Sequence, residues 1–224
     1  NQSECGIPLP KLFAVCGELQ KKILNTCPYQ DIQVFPAIRK QHLNKLCDFH
    51  FYKKKHQILF LGSYDSRETK SSLQLIVSAL KKDHRYQEKL ILKGHPSCPI
   101  EPILKEVSGY QDIKSNIEIV SGSVDEYLES SSLVICGSSS VSIDALMFGC
   151  NVIVPLVCDS MNISPLLDYE RFCVRVSTAC DMSEAISELI AGKNFDAQKE
   201  AFSFIHHYWH YDPELKPWKE ALQI

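Results

Sequence analysis

An α/β protein built on a parallel sheet with helices on both faces is what this 224-residue sequence predicts, and three observations carry that expectation. Short apolar runs alternate with amphipathic stretches of helix length, the pattern of repeated βαβ units. The best of these runs are apolar throughout instead of alternating, as strands buried on both faces are. Hydrophobic residues make up 45% of the chain, an ordinary proportion for a globular core, and the length suits one such domain with a short appendage.

In order along the chain, Leu12–Cys16 reads as a short strand and Glu18–Thr26 as a helix with Leu19, Ile23 and Leu24 on one face. Ile32–Phe35 is a second short strand, closed by Pro36, and the pattern then breaks into basic and aromatic residues. The main unit opens with Gln57–Gly62, a continuous apolar run fit for a central strand, followed by a helix over Ser71–Lys82. Lys89–Lys93 is the next strand, and Pro99–Val107 a short helix with proline near its first turn, where a missing N–H costs nothing. Ile117–Val120 is a strand, and the helix Ser123–Ser130 starts with a Ser-x-x-Glu capping box, Ser123 to Glu126. Leu133–Cys136, Val152–Val157 and Phe172–Val176 are strands; Ser140–Phe148, Met182–Ala191 and Asp196–His210 are helices, the first two stopped by Gly149 and Gly192. This organisation divides the chain into a small βα segment over 1–44, a connector over 45–56, the main domain over 57–195 and a C-terminal helix and tail over 196–224.

Charge and cysteine usage narrow the function classes. Lys and Arg total 24 against 27 Asp and Glu, a formal charge of −3, so there is no general basic field for nucleic acid. The run Lys53-Lys54-Lys55 with His56 reads as a solvated loop. The ten cysteines show no C-x-x-C spacing, and Cys5, Cys16, Cys27 and Cys47 are read as having no histidine at metal-ligand spacing. Several sit in apolar runs as small hydrophobes, which predicts a reducing, cytoplasmic compartment without structural disulfides. His206 and His210 have i, i+4 spacing but lack an acidic third ligand, so an aromatic helix packing on a sheet edge is the stronger reading, and no metal is expected. No apolar run approaches the roughly 20 residues of a membrane span. There is no signal peptide and no initiating Met, so the sequence is expected to be a piece of a longer chain.

In an open parallel sheet, ligands bind in the crevice at the carboxyl ends of the strands. Two polar loops follow short apolar strands there: Lys93-Gly94-His95-Pro96 and Cys136-Gly137-Ser138-Ser139-Ser140. The second opens a helix, whose unpaired N–H groups and positive dipole end favour an anion. One serine would suffice as an N-cap; three after a glycine exceed that need, so phosphate binding is expected at Gly137, Ser138, Ser139 and Ser140. His95 alone would read as a structural hydrogen-bonder, but converging with the serines on one crevice it reads as a phosphate donor. Lys93 is an inward or edge cation, with structural and functional readings evenly weighted. Asp65, after Gly62-Ser63-Tyr64, either faces a ligand or caps the following helix, and capping is the stronger reading. No Walker loop, G-x-G-x-x-G fingerprint or G-x-S-x-G elbow is present.

These motifs resemble those of the C-terminal, nucleotide-binding half of GT-B-fold glycosyltransferases, and most closely a bacterial family of surface-carbohydrate biosynthesis proteins. The stretches that carry the resemblance are Phe35-Pro36-Ala37-Ile38-Arg39, Lys93–Pro99, Ser139–Ala145 with Gly149, Asn162–Leu166 and Tyr211–Trp218. A His-Pro pair followed by a Ser-Ser pair at a helix start is also similar to bacterial sialyltransferases, Kdo transferases and polyglycerol-phosphate polymerases, whose donors are cytidine nucleotides. The resemblance implies a Rossmann-like domain that binds a CMP-linked sugar, with His95 on the donor phosphate as the catalytic group and Ser139 and Ser140 holding that phosphate. It implies a ribose contact for Asp144, and it makes Gly62, Asp65, Asn162 and Ser164 candidates for donor-facing loops. It further implies a glycan or lipid-linked acceptor held by a missing N-terminal domain, peripheral association with the inner membrane face, and no cofactor. The sequence has Lys-Gly-His-Pro where the family usually has Lys-Pro-His-Pro, which leaves the aim of His95 less rigidly set. The alternatives are a CDP-glycerol- or UDP-sugar-dependent reaction on the same fold, and a non-catalytic nucleotide-binding module.

Overall fold

The computed structural model describes residues 10–27, 31–47, 55–82, 89–157, 161–191 and 195–223. Lys53, Lys54, Cys5, Cys158, Gly192 and most of the expected connector lie outside the described residues. The chain divides into two units, one of residues 50–199 and one that joins residues 1–49 to residues 200–224.

The larger unit is a six-stranded parallel sheet. After β1 (Phe13–Val15), α1 (Glu18–Leu24) and β2 (Ile32–Val34) of the smaller unit, it runs β3 (Lys55–Leu61), α2 (Ser66–Lys82), β4 (Lys89–Lys93), α3 (Ile100–Leu104) and α4 (Tyr110–Ile113). It continues with β5 (Ile117–Val120), α5 (Val124–Ser130), β6 (Ser131–Cys136), α6 (Val141–Met147), β7 (Asn151–Pro155), β8 (Val174–Val176) and α7 (Ala179–Ile190). The order across the sheet is β5-β4-β3-β6-β7-β8. Numbered from β3, that is 3-2-1-4-5-6, the doubly wound arrangement in which the chain reverses direction across the sheet between β3 and β6.

Burial on both faces explains the continuous apolar runs. Ile58 and Phe60 of β3 and Leu133 and Ile135 of β6 join Leu73, Ile76 and Val77 of α2, Ile100 of α3 and Met182 and Ile186 of α7 in one buried cluster. Strand alternation then sends Leu59, Val134 and Cys136, all fully buried, to the opposite face, which α5 and α6 cover. The fold class expected from the sequence is thus the one observed.

Several boundaries differ for local reasons. Helix α2 begins at Ser66, five residues before the apolar periodicity starts, because its first turn is polar and is capped by Asp65, whose Oδ1 accepts the Arg67 N–H at 2.9 Å. Helix α7 begins at Ala179 on a reciprocal Thr178–Asp181 capping box. At α5 the expected Ser123–Glu126 pairing is replaced, since Ser123 Oγ accepts from the Asp125 N–H at 3.4 Å. A 3-10 helix over Ile38–Cys47 occupies part of the expected connector. Helix α4 and a 3-10 turn at Lys114–Asn116 were not expected.

In the smaller unit, β1 and β2 pair in parallel; the greater part of α8 (Phe195–Tyr208) and the whole of α9 (Lys216–Leu222) also belong to it. Trp218 Nε1 donates to the Pro36 carbonyl at 2.9 Å, and its ring meets Phe35 edge-on at 4.6 Å between centroids. The Ala37 N–H donates to the His210 carbonyl at 2.9 Å. Two of the stretches that carried the family resemblance therefore pack on each other, which makes their role here structural. His206 lies edge-on between Phe202 and Tyr211, and His207 Nδ1 meets the Ser203 carbonyl at 2.7 Å. Burial, and then His207, holds His206 below the usual histidine range. No group of three potential metal-ligating side chains occurs among the described residues, and no helix among them is long and apolar enough to cross a membrane.

Candidate functional site

The carboxyl ends of β4, β3 and β6 present three successive loops along one sheet edge, Gly94–Pro99, Gly62–Asp65 and Gly137–Ser140. His95 and the serines are two strand spacings apart, roughly 9–10 Å at the sheet edge, with the β3 loop between them.

The β4 loop is a tight turn. The Cys98 N–H donates to the His95 carbonyl at 2.9 Å, and a Cβ on Gly94 would press on the Cys98 carbonyl at 3.1 Å and the Ile100 nitrogen at 3.0 Å. A glycine permits that approach, and other contacts aim the imidazole. The Ser97 N–H donates to His95 Nδ1 at 3.2 Å, and Ser97 Oγ lies 2.7 Å from the same nitrogen. Because Nδ1 accepts a backbone N–H, the neutral ring carries its proton on Nε2. His95 is exposed, so this N–H is available to a ligand oxygen.

Beside His95 lies an open cavity of about 310 Å³. Its walls come from Lys93, Gly94, His95 and Pro96 of the turn, Pro99, Ile100 and Glu101 at the start of α3, and Ile119, Val120, Ser121 and Gly122 at the end of β5. Pro96, Pro99, Ile100, Ile119 and Val120 make much of its lining apolar and the charged groups are few, as in sites for small organic ligands. Ser138, Ser139 and Ser140 do not line this cavity.

The serine loop differs from the expectation of an open anion site. Glu68, in the first turn of α2 and only 2% exposed, reaches across the reversal point between β3 and β6 and accepts the Ser138 N–H at 2.7 Å. A Cβ on Gly137 would overlap this carboxylate, so the glycine is required by close approach. The chain's own carboxylate thus fills part of the place expected for a phosphate. Ser138 Oγ accepts the Ile163 N–H at 3.1 Å and lies 3.4 Å from the Met161 carbonyl. Ser139 Oγ accepts the Val141 N–H at 3.3 Å. Ser140 is exposed, and its hydroxyl bonds to no described residue. Of the three hydroxyls, two hold the backbone and one stays open.

The other expected contacts sort in the same way. Asp144 is 1% exposed, in a helix whose residues from Ser142 to Met147 are all buried, so no exposed face of α6 presents it to a ribose. Asp65 caps α2 and pairs with Arg67, which together hold its carboxyl below the usual carboxylate range. Asn162 Nδ2 donates to the Pro155 carbonyl at 3.1 Å and its Oδ1 accepts the Ser164 N–H at 2.8 Å. Ser164, 6% exposed, accepts the Leu166 N–H at 3.4 Å. Both therefore shape the loop after β7. The Gly62 N–H donates to the Lys93 carbonyl at 2.9 Å, joining the β3 and β4 ends. Sequence reasoning missed Glu68 and Glu101. Glu68 carried no signal, because its partner is 70 positions away; Glu101 could have been found from its place in the short helix after His95-Pro96.

No protein-family model matches the chain, and no curated protein matches it in sequence. Solved structures do match. The pneumococcal O-GlcNAc transferase GtfA, in complex with UDP and GlcNAc, aligns over 95% of this chain and 45% of its own, at 12% identity and a TM-score of 0.60. The UDP-GlcNAc 2-epimerase of Methanocaldococcus jannaschii, in complex with UDP-GlcNAc and UDP, aligns over 85% of this chain and 59% of its own, at 17% identity and 0.55. A glycosyltransferase from Rickettsia africae aligns over 94% and 63%, at 15% identity and 0.55. The chain spans about half to three fifths of the length of these proteins, and at such identities the likeness is one of fold. The larger unit has the Rossmann-like sheet of one half of a GT-B fold.

Proposed function

We propose that the chain is the donor-binding part of a glycosyltransferase, with the nucleoside in the cavity beside His95 and the phosphate between His95 and the serine loop. The observation that carries this reading is the exposed imidazole, fixed with Nε2–H outward, at the mouth of a cavity on the carboxyl edge of a doubly wound sheet. The two strand spacings between the His95 loop and the serine loop, roughly 9–10 Å, leave room for a phosphate beyond a base and ribose seated in that cavity. Lys93 and His95 supply positive charge and a donor at the phosphate end, and the open Ser140 hydroxyl adds a second donor. The same groups would stabilise charge on a departing nucleotide. Glu68 keeps the phosphate outward of the Ser138 N–H, since two anions would compete for one donor.

The nature of the donor is a finer proposal. The His-Pro and Ser-Ser pairs support a CMP-activated acidic sugar, Kdo or a nonulosonic acid, used in surface polysaccharide synthesis at the cytoplasmic membrane face. The fold-mates that bind UDP and UDP-GlcNAc favour a second reading, a UDP-sugar reaction on the same sheet. A glycan or lipid-linked acceptor and the base that activates it are not assigned to any residue of this chain, and neither a cofactor nor a metal enters the reading. Calorimetric titration with CMP, UMP and GMP tests it. Saturable binding of a pyrimidine nucleotide that weakens in His95→Ala is expected; silence toward all three would leave a non-catalytic assembly module.

A further inference from the structure

The cavity beside His95 is electrically lopsided. Lys93 and His95 stand at its β4 side, toward the centre of the sheet, and Glu101 lines the wall formed by the start of α3. Ile100, Ile103 and Leu104 of this five-residue helix are buried and hold it in place, while Glu101 is exposed into the cavity. No hydrogen bond or ion pair to a described residue occupies its carboxylate. A phosphate is drawn to the Lys93–His95 side and repelled by Glu101, so a bound nucleotide has one polarity, phosphate toward the sheet centre and base toward Glu101. Pro96, Pro99, Ile119 and Val120 provide apolar walls for a flat ring there.

We infer that Glu101 is the specificity-determining residue of this site, accepting a hydrogen bond from the exocyclic amino group of cytosine and rejecting uracil. The inference rests on the nucleotide reading given above. A carboxylate only accepts hydrogen bonds. Cytosine and uracil are nearly the same shape, but position 4 bears an N–H donor in cytosine and an acceptor oxygen in uracil. Glu101 gains a charge-assisted bond with the first and faces lone pairs with the second. Glutamine at this position offers both a donor and an acceptor and accommodates either base.

The test is calorimetric titration of CMP and UMP into the wild-type chain, Glu101→Gln and Glu101→Ala, with 2′-deoxy-CMP as a third ligand and a thermal melt of each variant. Wild type is expected to prefer CMP over UMP by about tenfold, the lower end of what a hydrogen bond to a charged group supplies. Glu101→Gln should bring the ratio close to one, Glu101→Ala should weaken CMP while leaving or improving UMP, and all three melts should coincide. An equal loss for CMP and UMP, absent with 2′-deoxy-CMP, would make Glu101 a ribose contact and overturn the assignment. An unchanged CMP/UMP ratio in both variants would overturn it while leaving the nucleotide site intact. If the wild type binds no nucleotide, the donor-site reading itself fails and this assignment with it.

Discussion

Replacing Gly137 with alanine probes the contact that closes the reversal point between β3 and β6. The Gly137 backbone lies outside the left-handed region, so alanine brings no conformational strain of its own. Its Cβ, however, would occupy the space of the Glu68 carboxylate, which is 2% exposed and holds the Ser138 N–H at 2.7 Å. If the carboxylate withdraws, a hydrogen bond to a charged group is lost, about 1.5–3 kcal/mol. If it stays, the backbone must shift, and overpacking of this kind typically costs about 1–3 kcal/mol. Whichever outcome prevails, a loss of about 1–3 kcal/mol is expected. For a unit of this size each kcal/mol moves the melting temperature by roughly 2–4 °C, which gives a drop of roughly 2–12 °C. Urea unfolding of Gly137→Ala, Glu68→Ala and the double variant isolates the cause. With Glu68 shortened, Gly137→Ala should add less than about 1 kcal/mol. An equal cost of Gly137→Ala in both backgrounds would show that the carboxylate is not what excludes a side chain there.

Other perturbations reach the remaining parts of the reasoning. His95→Ala should weaken the bound nucleotide about 10- to 150-fold, from the loss of one hydrogen bond to a charged group, with an unchanged melt; intact affinity with early unfolding would make His95 structural. Thr178→Ala removes the cap of α7 and should cost about 1 kcal/mol in urea unfolding near neutral pH. The Thr178 hydroxyl, first among its causes, holds the Asp181 carboxyl below its usual value. A depressed folded pKa stabilises above the unfolded value and is lost as pH falls through the folded one. The cost of Thr178→Ala should therefore shrink below about pH 4, and a pH-independent cost would contradict the box. Burial pushes the Cys173 thiol up to about 11 and raises Cys136 as well. Brief alkylation of the native protein near pH 8 should mark exposed Cys27 and Cys180 and spare Cys136 and Cys173, while the denatured, unreduced chain should titrate close to its ten thiols.

The amino-acid sequence alone determined the class of the fold. A strand covered on both faces must be apolar at every position, so Ile58–Leu61, Leu90–Leu92 and Leu133–Cys136 announce themselves without reference to any distant residue. Signals confined to a few neighbours were legible too: Asp65 as a cap, and Gly149 as a helix stop at φ 68°. The His95 loop was found because a histidine and a proline after such a strand are local facts. What the sequence could not determine were the contacts that join distant positions. Trp218 finds the Pro36 carbonyl across 182 positions, and Glu68 finds Ser138 across 70. Three serines in a row look alike in sequence; in the tertiary structure one binds the loop after β7, one accepts the Val141 N–H at the start of α6 and one stays open, because each points where the turn sends it. Asp144 resembles a ligand contact until the folded chain buries α6 from Ser142 to Met147 and Asp144 with it. The burial of whole helices, strand order and the reach of side chains across the sheet edge belong to the folded chain, and they decided which polar residues are spent on holding the site and which, His95, Glu101 and Ser140 among them, remain turned outward.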